Sequence, residues 1–369
     1  LVYCTTSNNK NIMHRESEAF LFEYLNNTAP TGYETAGQKL WLDYLRPYID
    51  EELTDTYGTA VGIINPDAPY KVVIEAHADE ISWFVNYITK EGYIYVIRNG
   101  GSDYQIAPSQ RAKIHTDKGT VPAVFGWPAI HVREDREKAV KIDIEKVVLD
   151  CGCSSAEEVA ALGIHVGSVV TFDADLITLN QDFLVGRGLA NRMGGFMIAE
   201  VAKRLHENKK QLPFGLYIVN AVQEEVGLRG AAMIAHRLQP DLAIVTDVTH
   251  DTQSPLFEII KQGDISCNKG PVLSYAPSVQ QNVLKMMIEV AQQHRIPFQR
   301  AASSRITGTD TDAFAYSNAG VASGLISLPL KYMHTTVEMV HKQDIEGVIA
   351  LMYQCLVQLD PQQDFSYFK

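Results

Sequence analysis

The chain has 369 residues, enough for two or three domains with a full hydrophobic core and no need of disulfide staples. It carries 32 Lys and Arg residues against 44 Asp and Glu residues, a formal net charge of −12. This acidity argues against nucleic acid or an anionic membrane surface as a partner. No apolar run reaches the ~20 residues that a membrane span needs. Residues 1–12 are polar and irregular, without a secretory pattern, and we expect them to be a loose end.

Five cysteines are scattered along the chain, an odd number without the spacing of a disulfide framework. This usage favours a reducing compartment, so the sequence predicts a cytoplasmic protein. Cys151 and Cys153 form a Cys-x-Cys pair. We interpret the pair as alternation along a strand rather than a metal site, because no further ligands stand near it in the sequence.

The segment 13–83 contains two predicted helices and one predicted strand. Ser17–Leu25 is predicted to be a helix with Ser17 as its N-cap, and a second helix covers Glu34–Leu45 and ends before Pro47. The β-branched run Lys71–Ala76 is typical of a buried strand.

Between residues 84 and 182 the pattern changes. Short alternating segments such as YIYVIR, RAKIHT and GSVVTF are separated by turns rich in Gly and Pro, which predicts a small all-β module. One helix, Ser155–Leu162, interrupts it, with Ser154 or Ser155 as its N-cap. The sequence thus predicts that an inserted β-rich domain, 84–182, divides one α/β domain into the parts 13–83 and 183–369.

Strands and helices alternate again in the last part of the chain. Apolar residues recur every four positions from Met193 to Leu205, which is typical of a helix. The predicted helices are Asn191–Glu207, Ser278–His294 with Ser278 as N-cap, and Gln343–Leu359, and the predicted strands are Phe214–Val222, Leu242–Thr246 and Gly324–Leu328. This alternation predicts an α/β fold, a parallel or mixed sheet with helices on both faces.

Histidine and acidic side chains gather where the predicted strands end: His77, Asp79, Glu224, Glu225, Asp247 and His334. Sites in α/β sheets form outside the carboxyl ends of the strands, so these side chains are expected at one edge. Two imidazoles and several carboxylates suit Zn²⁺, Co²⁺ or Mn²⁺, and a spare carboxylate suits a general base that activates water. Taken singly, each has an ordinary alternative, such as a hydrogen-bonded histidine, a solvated Glu-Glu pair or an aspartate in a turn.

Several segments resemble those of one enzyme family. They include AHADEI from Ala76, GRGLANRMGG from Gly186, VQEEVGLRGA from Val222, GTDTDAF from Gly308 and YMHTTVEMV from Tyr332. In order and separation they resemble the TET-type metallo-aminopeptidases, which include glutamyl and deblocking aminopeptidases and some members named as endoglucanases. The resemblance covers residues 17–359.

The resemblance implies a fold, an activity and an assembly. The fold is a mixed α/β zinc-peptidase domain interrupted by a small β-barrel-like domain that serves assembly and access. The activity is release of N-terminal amino acids from peptides, with two divalent metal ions per subunit, zinc or cobalt. The assembly is a hollow tetrahedral dodecamer built from dimers. A glucanase activity is disfavoured, because glycosidases need paired carboxylates rather than histidines and metals.

The resemblance also implies a role for each site residue. His77 and Asp247 hold one metal, and Glu225 and His334 hold the other. Glu224 is the general base and acid, which takes a proton from the attacking water and passes it to the leaving amine. Asp79 orients His77, as metal-bound imidazoles usually require.

One position departs from the family pattern. The family carries a metal-bridging Asp where this chain has Ala190, which offers no ligand atom. Asn191 and Arg192 point elsewhere, and Asp182 lies eight residues earlier. We therefore expect weakened binding of at least one metal and a large loss of activity. Two alternatives stay open: a degenerate member that acts as a peptide-binding assembly, and a related hydrolase of another amide, such as a deacylase.

Five further residues near the predicted site each allow two interpretations. Asp310 and Asp312 either contact the amino group of the substrate or stabilise their Gly-containing turn. Arg229 either selects an acidic side chain or forms a structural ion pair. Tyr332 and Met333 either line the cleft or pack.

Overall fold

The structure is a computed structural model that describes residues 14–133 and 142–368. Residues 1–12, Cys4 among them, and the predicted domain start at residue 13 lie outside these ranges. The helices of the described residues are α1 (Arg15–Asn26), α2 (Thr35–Leu45), α3 (Ala156–Ala161), α4 (Leu189–Glu207), α5 (Arg229–Leu238), α6 (Ile259–Gln262), α7 (Gln281–Gln293), α8 (Thr311–Ala315) and α9 (Lys342–Gln358). None of these helices is long and apolar enough to cross a membrane.

The strands build one large sheet and one barrel. They are β1 (Glu51–Thr54), β2 (Ala60–Ile64), β3 (Lys71–His77), β4 (Ser82–Ile88), β5 (Ile94–Asn99), β6 (Arg111–Thr116), β7 (Gly119–Gly126), β8 (Val148–Asp150), β9 (Val169–Phe172), β10 (Ile177–Leu179), β11 (Phe183–Gly186), β12 (Gly215–Ala221), β13 (Leu242–His250), β14 (Val272–Tyr275), β15 (Gln299–Ala302), β16 (Ala322–Lys331) and β17 (Glu338–His341).

The large sheet confirms the predicted mixed α/β fold. Its order is β1-β2-β12-β3-β13-β16-β17-β11-β10, and β14 and β15 join beside β16. The four central strands β12, β3, β13 and β16 are parallel to one another, whereas β2 pairs antiparallel with β12 and β17 pairs antiparallel with β16. Helix α4 packs on β3 and β13, whereas α5 and α8 pack against β12 and β16, so helices cover both faces. The carboxyl ends of the four parallel strands therefore meet at one edge.

A closed barrel of six strands, β4-β5-β8-β7-β6-β9, confirms the predicted β-barrel-like module. It has a core of its own, in which the rings of Trp83, Phe125 and Phe172 pack on one another. Its strands run from Ser82 to Phe172, and β10 pairs with β11 in the large sheet. The domain limits 84 and 182 remain a prediction.

The helix caps differ in part from the expectations. Ser155 caps α3 as predicted, because its hydroxyl accepts a hydrogen bond from the N–H of Glu158. Ser17 is not an N-cap, since α1 begins at Arg15 and Ser17 is buried inside it. Ser278 is not one either, because the side chain of Gln280 caps α7 and the Ser278 hydroxyl donates to Asp312 instead.

The Cys-x-Cys pair does not alternate along a strand. Strand β8 ends at Asp150, and Gly152 has a φ of 79° that turns the chain between the two cysteines. The Sγ atoms of Cys151 and Cys153 are 3.7 Å apart as free thiols.

Candidate metal centre

Side chains at or just beyond the carboxyl ends of the four central strands line one cavity of about 430 Å³ at this edge of the sheet. Its lining includes five of the six predicted site residues, His77, Glu224, Glu225, Asp247 and His334, together with Ala190. The register explains the convergence, because β3, β12, β13 and β16 run in parallel and pair His77 with Ala221 and Asp247 with Ser327. Asp247 lies within β13 rather than after it, since this strand continues to His250.

His77, Glu224 and Asp247 form the inner cluster of the centre. One donor atom of each lies within 4.8 Å of the others. The Nε2 of His77 is 3.6 Å from a Glu224 carboxylate oxygen and 4.0 Å from one of Asp247. His77 and Asp247 are buried, and Glu224 is 11% exposed toward the cavity. Such spacing leaves room for a cation between the donors.

Glu225 and His334 form a second pair in the same cavity. The Nε2 of His334 is 3.4 Å from Oε1 of Glu225. His334 follows β16 on a short loop with a φ of 61°, and this left-handed backbone turns its ring back over the sheet edge. Tyr332 has a similar φ of 60°, and Met333 lines the cavity.

Asp79 is the sixth predicted residue, and it lies behind the others, fully buried. One oxygen lies 3.2 Å from Nδ1 of His77, and the N–H groups of Glu224 and Glu225 both donate to its carboxylate, at 3.0 and 3.2 Å. The hydroxyl of Thr31 donates a further hydrogen bond at 2.8 Å. Burial raises its pKa, but the bond to His77 outweighs that effect and lowers the pKa of Asp79 below its usual value.

Two buried glutamates that the sequence interpretation missed hold the backbone of the centre. Glu338 accepts hydrogen bonds from the N–H groups of His334 and Ala190, at 2.7 and 3.1 Å. Glu34 accepts from the N–H of Gln223 at 3.2 Å, just before the two glutamates of the site. Glu338 stands in a segment that carries the resemblance, four residues after His334 in YMHTTVEMV. Burial raises the pKa of Glu34 and of Glu338 to about 7.

A third missed residue, Glu75, lies beneath the site. It precedes His77 by two residues in β3, so both side chains point to the same face of the sheet. Glu75 and Asp310 are buried, and none of their four carboxyl oxygens has a hydrogen-bond donor from the described residues. Strand alternation from His77 was the signal that could have found Glu75. Asp312, in contrast, accepts hydrogen bonds from the N–H groups of Thr307 and Gly308, so it stabilises its turn.

The electrostatics of the centre favour positive charge. Burial raises the pKa of Glu224 to about 9 and that of Asp247 to about 6. Burial lowers the pKa of both imidazoles, but the nearby carboxylates have the larger, opposite effect. The pKa of His77 therefore lies well above its usual value, and the pKa of His334 is about 9. The two imidazoles and the carboxylates of Glu224, Glu225 and Asp247 are a donor set that fits divalent cations.

Ala190 and Arg229 bring no ligand to the centre. Ala190 is buried in the cavity wall, ahead of the regular part of α4, because its own φ and ψ and those of Asn191 are not helical. Asn191 turns away and donates to the carbonyl of Thr246 at 2.7 Å, and Arg192 donates to Tyr24, Leu25 and Asn27. Arg229 is exposed at the start of α5 and forms no ion pair with the described residues.

Comparisons with known proteins agree with this geometry. The family model described as M42 glutamyl aminopeptidase matches residues 58–351. A lysyl aminopeptidase from Pyrococcus furiosus is 32% identical over 339 residues, which cover 91% of this chain and 95% of the relative.

Solved structures share the whole fold. A TET aminopeptidase from a marine sediment Thaumarchaeota archaeon superposes with a TM-score of 0.89 at 28% identity, over 94% of this chain and 98% of that one. The TET1 peptidase of Pyrococcus horikoshii, which assembles into a tetrahedron or a large octahedral shell, gives a TM-score of 0.82 at 26% identity, over 93% and 100%. The predicted resemblance is thus confirmed: the chain belongs to the M42 glutamyl aminopeptidase family of hydrolases.

Proposed function

We propose that this chain is built as a metal-dependent aminopeptidase that releases N-terminal amino acids from peptides. The observation that carries the proposal is the cluster of His77, Glu224 and Asp247, whose donor atoms lie within 4.8 Å of one another. The pair of Glu225 and His334 adds a second set of donors in the same cavity. Family membership supports the aminopeptidase reaction itself.

Two divalent ions, zinc or cobalt, would be held by these residues. His77 and Asp247 would hold one ion, and Glu225 and His334 the other. When bound, the ions would polarise the scissile carbonyl and lower the pKa of water. Asp79 would keep the His77 ring in place through Nδ1 and fix the two glutamates through their N–H groups.

Glu224 would be the group that moves the proton. Its carboxylate faces the cavity beside His77 and is not needed in either ligand pair. It would accept the proton of the attacking water and then donate it to the nitrogen of the leaving amine. The raised pKa of about 9 means that this carboxyl retains a proton readily, and nearby cations would favour its ionised form.

Ala190 would impair this centre. It lines the cavity with all four proposed ligands but carries no oxygen to bridge two cations. Each ion would keep one imidazole and one carboxylate, and two carboxylates instead of three would balance the charge of the two ions. We therefore propose weak binding of at least one metal and low activity in this chain.

The test compares this chain with its Ala190→Asp variant on a panel of aminoacyl-nitroanilides after loading with Zn²⁺ or Co²⁺. Ala319→Asp, an exposed position outside this cavity, is the matched control. We expect activity to appear or rise sharply only in Ala190→Asp. Activity in neither protein would favour the non-catalytic, peptide-binding alternative.

Two further outcomes are informative. Equal activity in both proteins would show that the bridge is dispensable and that our account of Ala190 is wrong. N-acetylated substrates are the second arm, because an aminopeptidase requires a free α-amino group. Cleavage of those substrates would point to a deacylase.

We also propose a homo-oligomer, a dodecamer built from dimers, that acts on peptides in the cytoplasm. The shell formed by the P. horikoshii relative supports the assembly, since the fold is shared over nearly the whole chain. The barrel domain would serve assembly and access. The free thiols of Cys151, Cys153, Cys267 and Cys355 fit a reducing compartment.

A further inference from the structure

We infer that a second cavity beside the metal centre receives the N-terminal side chain of the peptide, and that it selects uncharged side chains. The inference rests on the proposed aminopeptidase function and adds its substrate class. The cavity has a volume of about 260 Å³ and shares five wall residues with the metal centre: Val248, Thr249, His250, Thr307 and Thr309.

The second cavity opens directly next to a proposed metal ligand. Thr249 follows Asp247 by two residues in β13, so both side chains lie on the same face of the sheet. Ser327, which is paired in register with Asp247, also lines the second cavity. A peptide whose first carbonyl lies at the metal centre therefore has its first side chain within reach of this cavity.

The cavity is walled by separate parts of the chain. Strands β14 and β16 contribute Ser274 and Leu325, and β15 contributes Ala301. Phe257 and Ile265 close it from the connection between β13 and β14. Such a walled space suits a terminal residue, because the rest of the peptide must leave through the open side of the metal centre.

The chemistry of the walls excludes charge. No Asp, Glu, Lys or Arg of the described ranges lines this cavity. His250 is the one imidazole among these wall residues, and burial lowers its pKa. A lysyl or glutamyl side chain would lose water here without gaining a counter-ion, which is unfavourable. Aliphatic side chains would contact Leu325 and Phe257, and the hydroxyl groups of the wall would tolerate small polar ones.

Charged side chains of the neighbouring segments are paired or do not line the cavity. Glu258 and Lys261 contact each other at 2.6 Å on the exposed side of α6. Asp264 accepts a hydrogen bond from Gln253 at 2.7 Å. Arg305 is exposed on the loop before Thr307 and does not line the cavity. Acidic substrates belong in the test because Arg305 stands two residues before the wall residue Thr307 in the chain.

One near-isosteric substitution changes the charge of the cavity wall. Gln262 lines it and is itself exposed, so Gln262→Glu adds a carboxylate without burying it fully. Gln293→Glu at the end of α7 makes the same change outside both cavities and is the matched control. We expect Gln262→Glu to raise the preference for lysyl over leucyl substrates by about tenfold or more, and Gln293→Glu to leave it unchanged.

The experiment has a catalytic arm and a binding arm. In the Ala190→Asp background, kcat/KM is measured for leucyl, methionyl, alanyl, lysyl, arginyl, glutamyl and aspartyl nitroanilides. Without turnover, calorimetry measures the binding of leucinamide, lysinamide and the α-amide of glutamic acid to a metal-loaded Glu224→Gln variant. In both arms we expect uncharged side chains to be favoured by at least about tenfold.

Each outcome decides the inference. A preference for lysyl or glutamyl ligands in either arm overturns it, and so does an unchanged lysyl-to-leucyl ratio in Gln262→Glu. Dipeptides of the type Leu-Xaa vary only the second residue. If Gln262→Glu changes the preference for the second residue and not for the first, the cavity holds the second residue and the inference is wrong. If no substrate is cleaved, the proposed function fails. The ranking of the three amides by affinity then upholds or overturns the inference by itself.

Discussion

Gly101 of the segment after β5 lies against the imidazole ring of His334. A β-carbon at position 101 would be 2.9 Å from Nδ1 of that ring, closer than such contacts normally allow. The neighbouring Gly100, with a φ of 80°, lies against Glu225, where a β-carbon would be 3.2 Å from the Cβ of the glutamate. The barrel therefore delivers a segment without side chains to one of the two proposed ligand pairs.

Replacing Gly101 tests whether this contact positions His334. Gly101→Ala should push the ring away from Glu225 and lower metal affinity by about tenfold or more, as displaced ligand supports do. Competition with a chromophoric chelator measures the affinity. Gly126→Ala in β7 is the control, because a β-carbon there meets its nearest atom at 3.9 Å. Equal metal affinity in the two variants would mean that the loop plays no part in the site.

Asp79 should matter more than its distance from the cavity suggests. Asp79→Asn keeps the shape of the side chain, but one oxygen becomes an NH₂ group that cannot accept from an N–H. The variant should lose about 10–100-fold in metal affinity, measured as above, because His77 and the backbone of both glutamates lose an acceptor. Asp43→Asn changes an exposed carboxylate of α2 and should bind metal normally.

Glu80 anchors the segment that leads to Ala190. It is buried with Arg187 and Arg192, and it also accepts from the N–H of Ala29 at 2.8 Å. Glu80→Gln would leave two buried guanidinium groups without their carboxylate, so we expect a loss of about 3–5 kcal/mol in the free energy of unfolding. Urea denaturation at neutral pH measures it. Glu52→Gln, which removes an exposed partner of Arg46, should change little.

The pH dependence of the same variant has a defined sign. Burial raises the pKa of Glu80, but the two guanidinium groups outweigh it and lower the pKa below its usual value of 4.5. The stabilisation is therefore fully present above pH 4.5 and is lost as the pH falls through the lowered folded value. The difference in the free energy of unfolding between the unmodified protein and Glu80→Gln should narrow on acidification below pH 4.5. A difference that widens there would contradict this electrostatic account.

Metal content gives a test of Ala190 that does not depend on turnover. Ala190→Asp adds a carboxylate to the wall that already holds His77, Asp247, Glu225 and His334. We expect it to retain more Zn²⁺ per chain after dialysis than the unmodified protein, and to bind the weaker ion at least about tenfold more tightly. Elemental analysis measures the content. If Ala319→Asp retains as much Zn²⁺, the effect comes from general charge and not from the site.

The assembly is tested by the mass of the particle in solution. Light scattering at neutral pH should give a mass well above the 41.0 kDa of one chain, consistent with a dodecamer or its dimeric unit. A monomer at micromolar concentration would contradict the proposed oligomer. This measurement is independent of metal content and activity.

Much of this arrangement followed from local patterns. Apolar periodicity predicted α2, α4 and α9, because a buried face imposes its period on a helix whatever packs against it. Continuous apolar runs predicted the central strands, which are buried on both faces. The barrel followed from short alternating segments. The N-caps at Ser17 and Ser278 were wrong, since both side chains serve other contacts: Ser17 is packed within α1, and Ser278 donates to Asp312.

By itself, the sequence determined the fold class, the family and the residue types of the centre, since residue types and their spacing are local properties of a chain. Only the tertiary structure decided that Gly101 contacts His334, that Glu338 links His334 to Ala190, and that uncharged walls adjoin Asp247. Each of these relationships includes residues far apart in the chain, such as Gly101 and His334 or Ala190 and Glu338. They depend on the register of the parallel strands and on where the barrel returns to the sheet, which no local pattern encodes.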